Sequence, residues 1–356
     1  MAVYDLVADR VVIIDRVAGW LLDADTEPIE RLVAKAVAAT GAPAAQVESD
    51  IRAGIEALSD AGLINRQHPY PPLKPLIGRP LIDDGRAVGA TQALLDEVLA
   101  FRSSDEALLR EIDDYLGLTD TVSSPTLIFD VEPTGDGEIH LLAAEEWRFD
   151  ERSSFFVQLP GVINDFASHT HSMLVLHAGA VSTPDGRLLV LPGMPDAGKS
   201  TLTGALVQAG CDYLGDEMTG VLPETLEVVG HPRALALDKQ SRELLGLDDA
   251  DALSPYVAPN LLRSEVAALE GPAGTITEVL LPTYDPQVVA PQFEQLSPLD
   301  ALKALLTTTM NLDRCGEPGW RTLCQLVHDV PVRRVTHAGA PELARHLVDH
   351  KHRPAD

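Results

Sequence analysis

The chain has 356 residues, with 27 basic side chains against 54 acidic ones and a formal net charge of -27. That length suggests two domains, each able to bury a proper core, and so acidic a balance excludes broad contact with nucleic acid or anionic lipid, which need basic stripes. Cys211, Cys315 and Cys324 are odd in number and form no CxxC pair, which excludes a disulfide framework and reads as reduced core thiols. No run approaches the ~20 apolar residues of a membrane span, and the start MAVYDLVADR lacks the charged and apolar regions of a signal peptide, so a soluble, cytoplasmic protein is expected.

In chain order, residues 4–25 read as two β-stretches, with DRVVIID dense in β-branched residues. A helix is predicted from near Thr26 and Pro28 to Gly41, with Ile29, Leu32, Val33, Ala36 and Val37 on its apolar face. A second follows with Val47, Ile51, Ile55 and Leu58 on one side and Gly62 as its stop. HPYPPLKPLIGRP, residues 68–80, carries five prolines and reads as an extended linker. A helical stretch is predicted from about Thr91 to Leu116, and SPTLIFDVEP at 124–133 opens a β-rich unit. From Met173 onward strands and helices interleave, several of the turns being too short for crossover helices, which predicts an α/β fold with a mixed sheet. The boundaries expected are a small α+β domain at 1–66, a linker and helical connector at 67–119, and the main domain at 120–356.

The chemistry concentrates in three stretches. LPGMPDAGKST, residues 191–201, has the spacing of a phosphate-binding Walker A loop, in which Gly193, Asp196, Ala197, Gly198, Lys199, Ser200 and Thr201 surround the phosphates of a nucleotide. Its flanks fit, because RLLVLPG before it reads as a buried strand and STLTGALVQAG after it as a helix, and the motif needs both. Lys199 is positioned for the β/γ-phosphates and Ser200 for Mg²⁺. One helix further on, YLGDEMTGV places Asp216 and Glu217 at a strand end, where one carboxylate can hold metal and the other accept a proton. LVLHAGAV sets His177 inside an apolar run just before the loop's strand, a group able to donate to phosphate or move a proton. The same letters recur at His337-Ala338-Gly339, so the tripeptide alone carries little. Arg314 and Arg321 are further basic candidates, against the ordinary placement of long cations on a solvated surface.

LHAGAV, GMPDAGKSTL and YLGDE, in that order and spacing, resemble the HPr kinase/phosphorylase-like kinases, including related serine kinases of peptide-modification clusters. The resemblance covers roughly residues 120 to 350. It implies a P-loop kinase domain of the HPr kinase/PEP carboxykinase type, using ATP and Mg²⁺, with His177 and Lys199 in the catalytic site and Asp216 as proton acceptor. Glu217 falls where HPr kinase has a second aspartate and is the expected metal partner beside Ser200. The family's later acidic motif is not recognisable; GHPRALAL stands there and offers Arg233 as a phosphate or substrate contact. The β-hairpin and helices ending in DAGLI, roughly residues 4 to 66, resemble the PqqD-like peptide-recognition domain, a winged-helix-like module. That resemblance implies capture of a precursor peptide's leader.

The function expected is an ATP- and Mg-dependent kinase that phosphorylates a hydroxyl, foremost a serine of a ribosomally made peptide or small protein, with a homo-oligomer compatible. A small-molecule kinase with a purely structural N-terminal domain and a non-catalytic nucleotide-binding peptide adaptor remain as alternatives. A guanine-reading NKxD and a transporter-type LSGGQ do not occur, which argues against a GTPase switch or a transport motor.

Overall fold

The computed structural model describes residues 2–5, 10–13, 20–21, 28–60, 85–116, 124–143, 146–170, 172–193, 197–247, 256–257, 259–264 and 271–349. The chain divides into two compact units, Met1–Leu73 and Lys74–Asp356. The expected linker at 68–80, the Gly62 helix stop and Asp196 lie outside the described residues.

In the first unit β1 (Ala2–Asp5) and β2 (Arg10–Ile13) pair antiparallel. They precede α1 (Ile29–Thr40) and α2 (Ala44–Asp60). α1 ends where its periodicity stops: Gly41 adopts φ 70° and donates its N–H to the Val37 carbonyl, a left-handed cap that a side chain would strain. Leu32 of α1 packs with Val47, Ile51 and Leu58 of α2 and with Leu21, the apolar stripes that the 3.6-residue period predicts.

The second unit is mixed α/β and holds several sheets. Its first sheet runs β3-β4-β5-β6-β7, made of β3 (Ala87–Leu94), β4 (Glu97–Ser103), β5 (Leu127–Pro133), β6 (Ile139–Leu142) and β7 (Glu146–Phe149). α3 (Glu106–Leu116) and α4 (Arg152–Ala167) follow β4 and β7, and α3 makes the crossover that lets β4 and β5 pair in parallel. This corrects the expected helix over 91–116, of which only the part from Glu106 is helical. The stretch before it turns at Leu95, φ 59°, and buries Leu99 to Ser103 without a break, the pattern of a strand covered on both faces. Short apolar runs do not distinguish that from a buried helix. Residues 87–116 therefore belong to one layered body with 127–167 and are not a separate connector. In this sheet Arg102 and Asp130 face each other and form a two-pronged buried ion pair, Nε–Oδ1 2.6 Å and Nη2–Oδ2 3.0 Å.

The remaining strands build two larger sheets. The six-stranded one has the order β11-β9-β10-β17-β19-β18, from β11 (Asp212–Gly215), β9 (Ala178–Ser182), β10 (Leu188–Pro192), β17 (Glu278–Tyr284), β19 (Val332–His337) and β18 (Gln292–Gln295). β10, β17 and β19 run parallel, while β9 and β18 run against their neighbours. The four-stranded sheet has the order β16-β13-β12-β8, from β16 (Pro272–Thr275), β13 (Glu227–Val229), β12 (Thr219–Val221) and β8 (Leu174–Leu176). A two-stranded pair, β14 (Leu235–Ala236) with β15 (Tyr256–Val257), completes the strands.

α5 (Lys199–Gln208) and α10 (Ala340–Asp349) pack side by side on the six-stranded sheet, joining Leu202, Leu206, Leu343 and Leu347 to Leu189, Leu191 and Val335 in one core. The other helices are α6 (Lys239–Leu244), α7 (Pro259–Leu262), α8 (Pro298–Leu306) and α9 (Leu312–Asp329). α9 is broken at Gly316, whose φ of 56° and ψ of -135° only glycine adopts readily. Among the described residues no helix is long and apolar enough to cross a membrane.

Candidate functional site

The chain passes between the two larger sheets at two neighbouring points. β8 belongs to the four-stranded sheet and β9 to the six-stranded sheet, with His177 alone between them. β11 and β12 are divided in the same way by Asp216, Glu217 and Met218. Because β9 pairs antiparallel with β11 and β8 with β12, the two joints face each other. The His177 Nδ1–H donates to the Glu217 carbonyl at 3.0 Å, which fixes the tautomer and leaves Nε2 as the lone-pair nitrogen. Its Nδ1 lies 3.8 Å from the Glu217 carboxylate, and its backbone N–H donates to Thr308 at 2.6 Å.

The glycine loop leaves the adjacent strand at the same edge. β10 ends at Pro192, Gly193 follows, and α5 begins directly after Gly198, which has φ 80°. A side chain on Gly193 would press on Ala197 and on the Cγ and Cδ of Lys199, at 3.1 to 3.3 Å. The Lys199 stem thus lies back against Gly193, and its residue is only 6% exposed. The N-cap residue of α5 is Gly198, which has no side chain to occupy the leading N–H groups, the groups that a helix start offers an anion. Thr201 is engaged elsewhere, its hydroxyl 2.7 Å from that of Ser241.

Asp216 is the unusual group. It is 0% exposed, and among the described residues neither carboxylate oxygen has a hydrogen-bond partner of ordinary geometry. Burial pushes its pKa from 3.8 up to about 6; the Ser200 hydroxyl works against this, Glu217 adds to it, and Arg233 and Lys199 also oppose it. Leaving a buried carboxylate unpaired is costly, so the arrangement implies a group that completes it. His177 is displaced in the other direction, lowered by burial first and then by Lys199, which keeps the imidazole neutral at pH 7.

Arg233 approaches from a third direction. His231 bridges to Gly215 alongside β11, where a side chain on Gly215 would meet the His231 carbonyl at 3.0 Å. Two residues on, the Arg233 guanidinium is 4% exposed, with Nη2 at 3.5 Å from Glu217 Oε1 and its carbon 5.6 Å above the Tyr256 ring. Among the described residues its Nε and Nη1 have no hydrogen-bond partner. Tyr213 secures the backbone here by donating its hydroxyl hydrogen to the Arg233 carbonyl at 2.7 Å. Tyr115 of α3 packs against Tyr256 with ring centroids 5.2 Å apart, and neither was singled out in the sequence, since lone tyrosines carry no spacing signal.

The structure therefore brings together His177, Gly193, Ala197, Gly198, Lys199, Ser200, Asp216, Glu217 and Arg233. Arg321 is instead tied to Glu317 on the exposed face of α9. Among the described residues no group of three or more His, Cys, Asp or Glu side chains could hold a metal by itself. No protein-family model matches the chain, and no curated protein matches it.

Proposed function

We propose that the chain is a phosphotransferase of the HPr kinase-like type that moves the γ-phosphate of ATP to a hydroxyl, with a peptide serine as acceptor. The observation that carries this reading is Asp216: fully buried, with no hydrogen bond of ordinary geometry at either oxygen among the described residues, and within electrostatic reach of Ser200, Arg233 and Lys199 at the edge where α5 begins.

Phosphoryl transfer asks the protein chiefly for positioning and for charge placed where charge develops. The N–H groups at the start of α5 and the Lys199 ammonium hold the β- and γ-phosphates. Arg233, with two donors unpaired, takes a phosphoryl oxygen and stabilises the negative charge as the bond to the β-phosphate breaks. Asp216 accepts the proton of the attacking hydroxyl while its oxygen bonds to phosphorus. A pKa near 6 leaves it ionised at pH 7 yet basic enough to take that proton. His177 holds the Glu217 backbone through Nδ1 and presents a neutral Nε2 toward the site's proton traffic. The Ser200 hydroxyl and the Glu217 carboxylate would hold Mg²⁺, which would neutralise charge on the triphosphate. The first unit, read as a PqqD-like, winged-helix-like module, holds the peptide's leader and so raises the local concentration of its acceptor.

The test is incubation of the full chain with ATP, Mg²⁺ and candidate leader-bearing peptides beside a panel of hydroxylated metabolites, with mass spectrometry for an added phosphate. A phosphorylated peptide supports the reading. Phosphorylation of metabolites alone removes the peptide acceptor, and no transfer to any acceptor despite tight ATP binding removes the kinase.

A further inference from the structure

The order of strand ends along one edge of the six-stranded sheet gives a direction to any triphosphate held there. β11 ends before Asp216 and β9 begins after His177, whereas β10 runs into the glycine loop. On the far side of that loop, β17 ends at Tyr284 and β19 at His337, and both strands run parallel to β10, so their ends lie at the same edge. With the transferable phosphate directed at Asp216, the other end of the nucleotide extends across β17 toward β19. Strands are spaced ~4.8 Å apart, so β19 stands about 10 Å from β10, a span suited to a ribose and a base.

What stands there is an aromatic platform. Tyr284 and His337 are register partners across the two strands, with ring centroids 6.1 Å apart at 69°. Tyr284 is 62% exposed at its strand end, an unusual setting for a large ring. His337 beneath it is 4% exposed. The turn behind them is fixed: the Asp285 N–H donates to the His337 carbonyl at 2.9 Å, and the Gln287 N–H donates to the Asp285 carboxylate at 2.9 Å.

The recurrent His-Ala-Gly at 337–339 leads into α10, making a second strand, glycine and helix start at this edge. It is not a second phosphate cradle. Pro341 lacks the N–H that an anion would use, and Glu342 places a carboxylate in the first turn, where it repels one. An uncharged heteroaromatic ring suits the position, because the exposed tyrosine face can stack on it.

We propose that Tyr284, backed by His337, is the stacking platform for the base of the nucleotide whose phosphates lie in the glycine loop. This assignment rests on the phosphotransferase reading above, and the two are separable by using ATP and inorganic tripolyphosphate as probes. Calorimetric titration of the full chain with each, in the presence of Mg²⁺, should show Tyr284→Ala weakening ATP about 10-fold while tripolyphosphate binds as to the wild type. Tyr284→Phe, which keeps the ring, should bind ATP as the wild type does. Equal losses for the two probes, or no loss for either, overturn the platform and leave the phosphate loop standing. If the wild type binds neither probe, the phosphotransferase reading falls and the platform with it.

Discussion

Replacing Asp216 with asparagine tests the site through stability as well as through turnover. Burial holds the Asp216 pKa at about 6 against an ordinary 3.8, so between those values the folded chain keeps a proton that the unfolded chain has released. The sign follows: Asp216 is compatible with a stable fold while protonated, and stability is lost as pH rises toward and through 6. At ~1.4 kcal/mol per unit, the two-unit displacement amounts to about 3 kcal/mol of destabilisation above pH 7, and about half of that at pH 5. Asp216→Asn keeps the shape and removes the ionisation, so without nucleotide it should unfold later than the wild type at pH 8, by roughly 5 °C, with a smaller gain at pH 5. Differential scanning fluorimetry at the two pH values reads both numbers. The same variant should transfer phosphate far more slowly, since an amide accepts no proton, while still binding ATP. A variant less stable than the wild type at pH 8, or an equal gain at both pH values, refutes the argument that an unpaired buried charge sits at this position.

Lys199→Ala should abolish transfer by loss of phosphate binding, measured by calorimetry with ATP and Mg²⁺, because it removes the ammonium whose stem packs on Gly193 at the start of the helix. The pH profile of kcat/KM should fall on the acid side as pH drops through about 6, where Asp216 becomes protonated, and a flat profile from pH 5 to 8 would remove it as proton acceptor. Asp130→Ala removes the carboxylate that takes both prongs of the buried Arg102 guanidinium and should cost about 3–5 kcal/mol in urea denaturation, without a matching loss specific to nucleotide binding. Deleting residues 1–73 should impair use of a leader-bearing peptide far more than use of a short core peptide, and equal impairment of both would assign the first unit a purely structural role.

Much of the local structure was legible in the sequence because it rests on short-range rules. The loop from Gly193 to Lys199 declares itself by glycine spacing between an apolar strand and a helix, and Gly41 ends α1 because a left-handed residue must stand there. The stretch before Glu106 was misread for an equally local reason: a short Ala- and Leu-rich run fits either period, and only its pairing with β5 made it a strand. What the tertiary structure alone decided is the meeting of His177, Glu217 and Arg233 around Asp216. That meeting depends on two strand pairs crossing between sheets at the same level and on His231 lying against Gly215, contacts between segments up to 47 residues apart that no spacing encodes. Whether a carboxylate is buried without a partner depends on everything packed around it. The sequence named the acid, and the packing around it determined its charge.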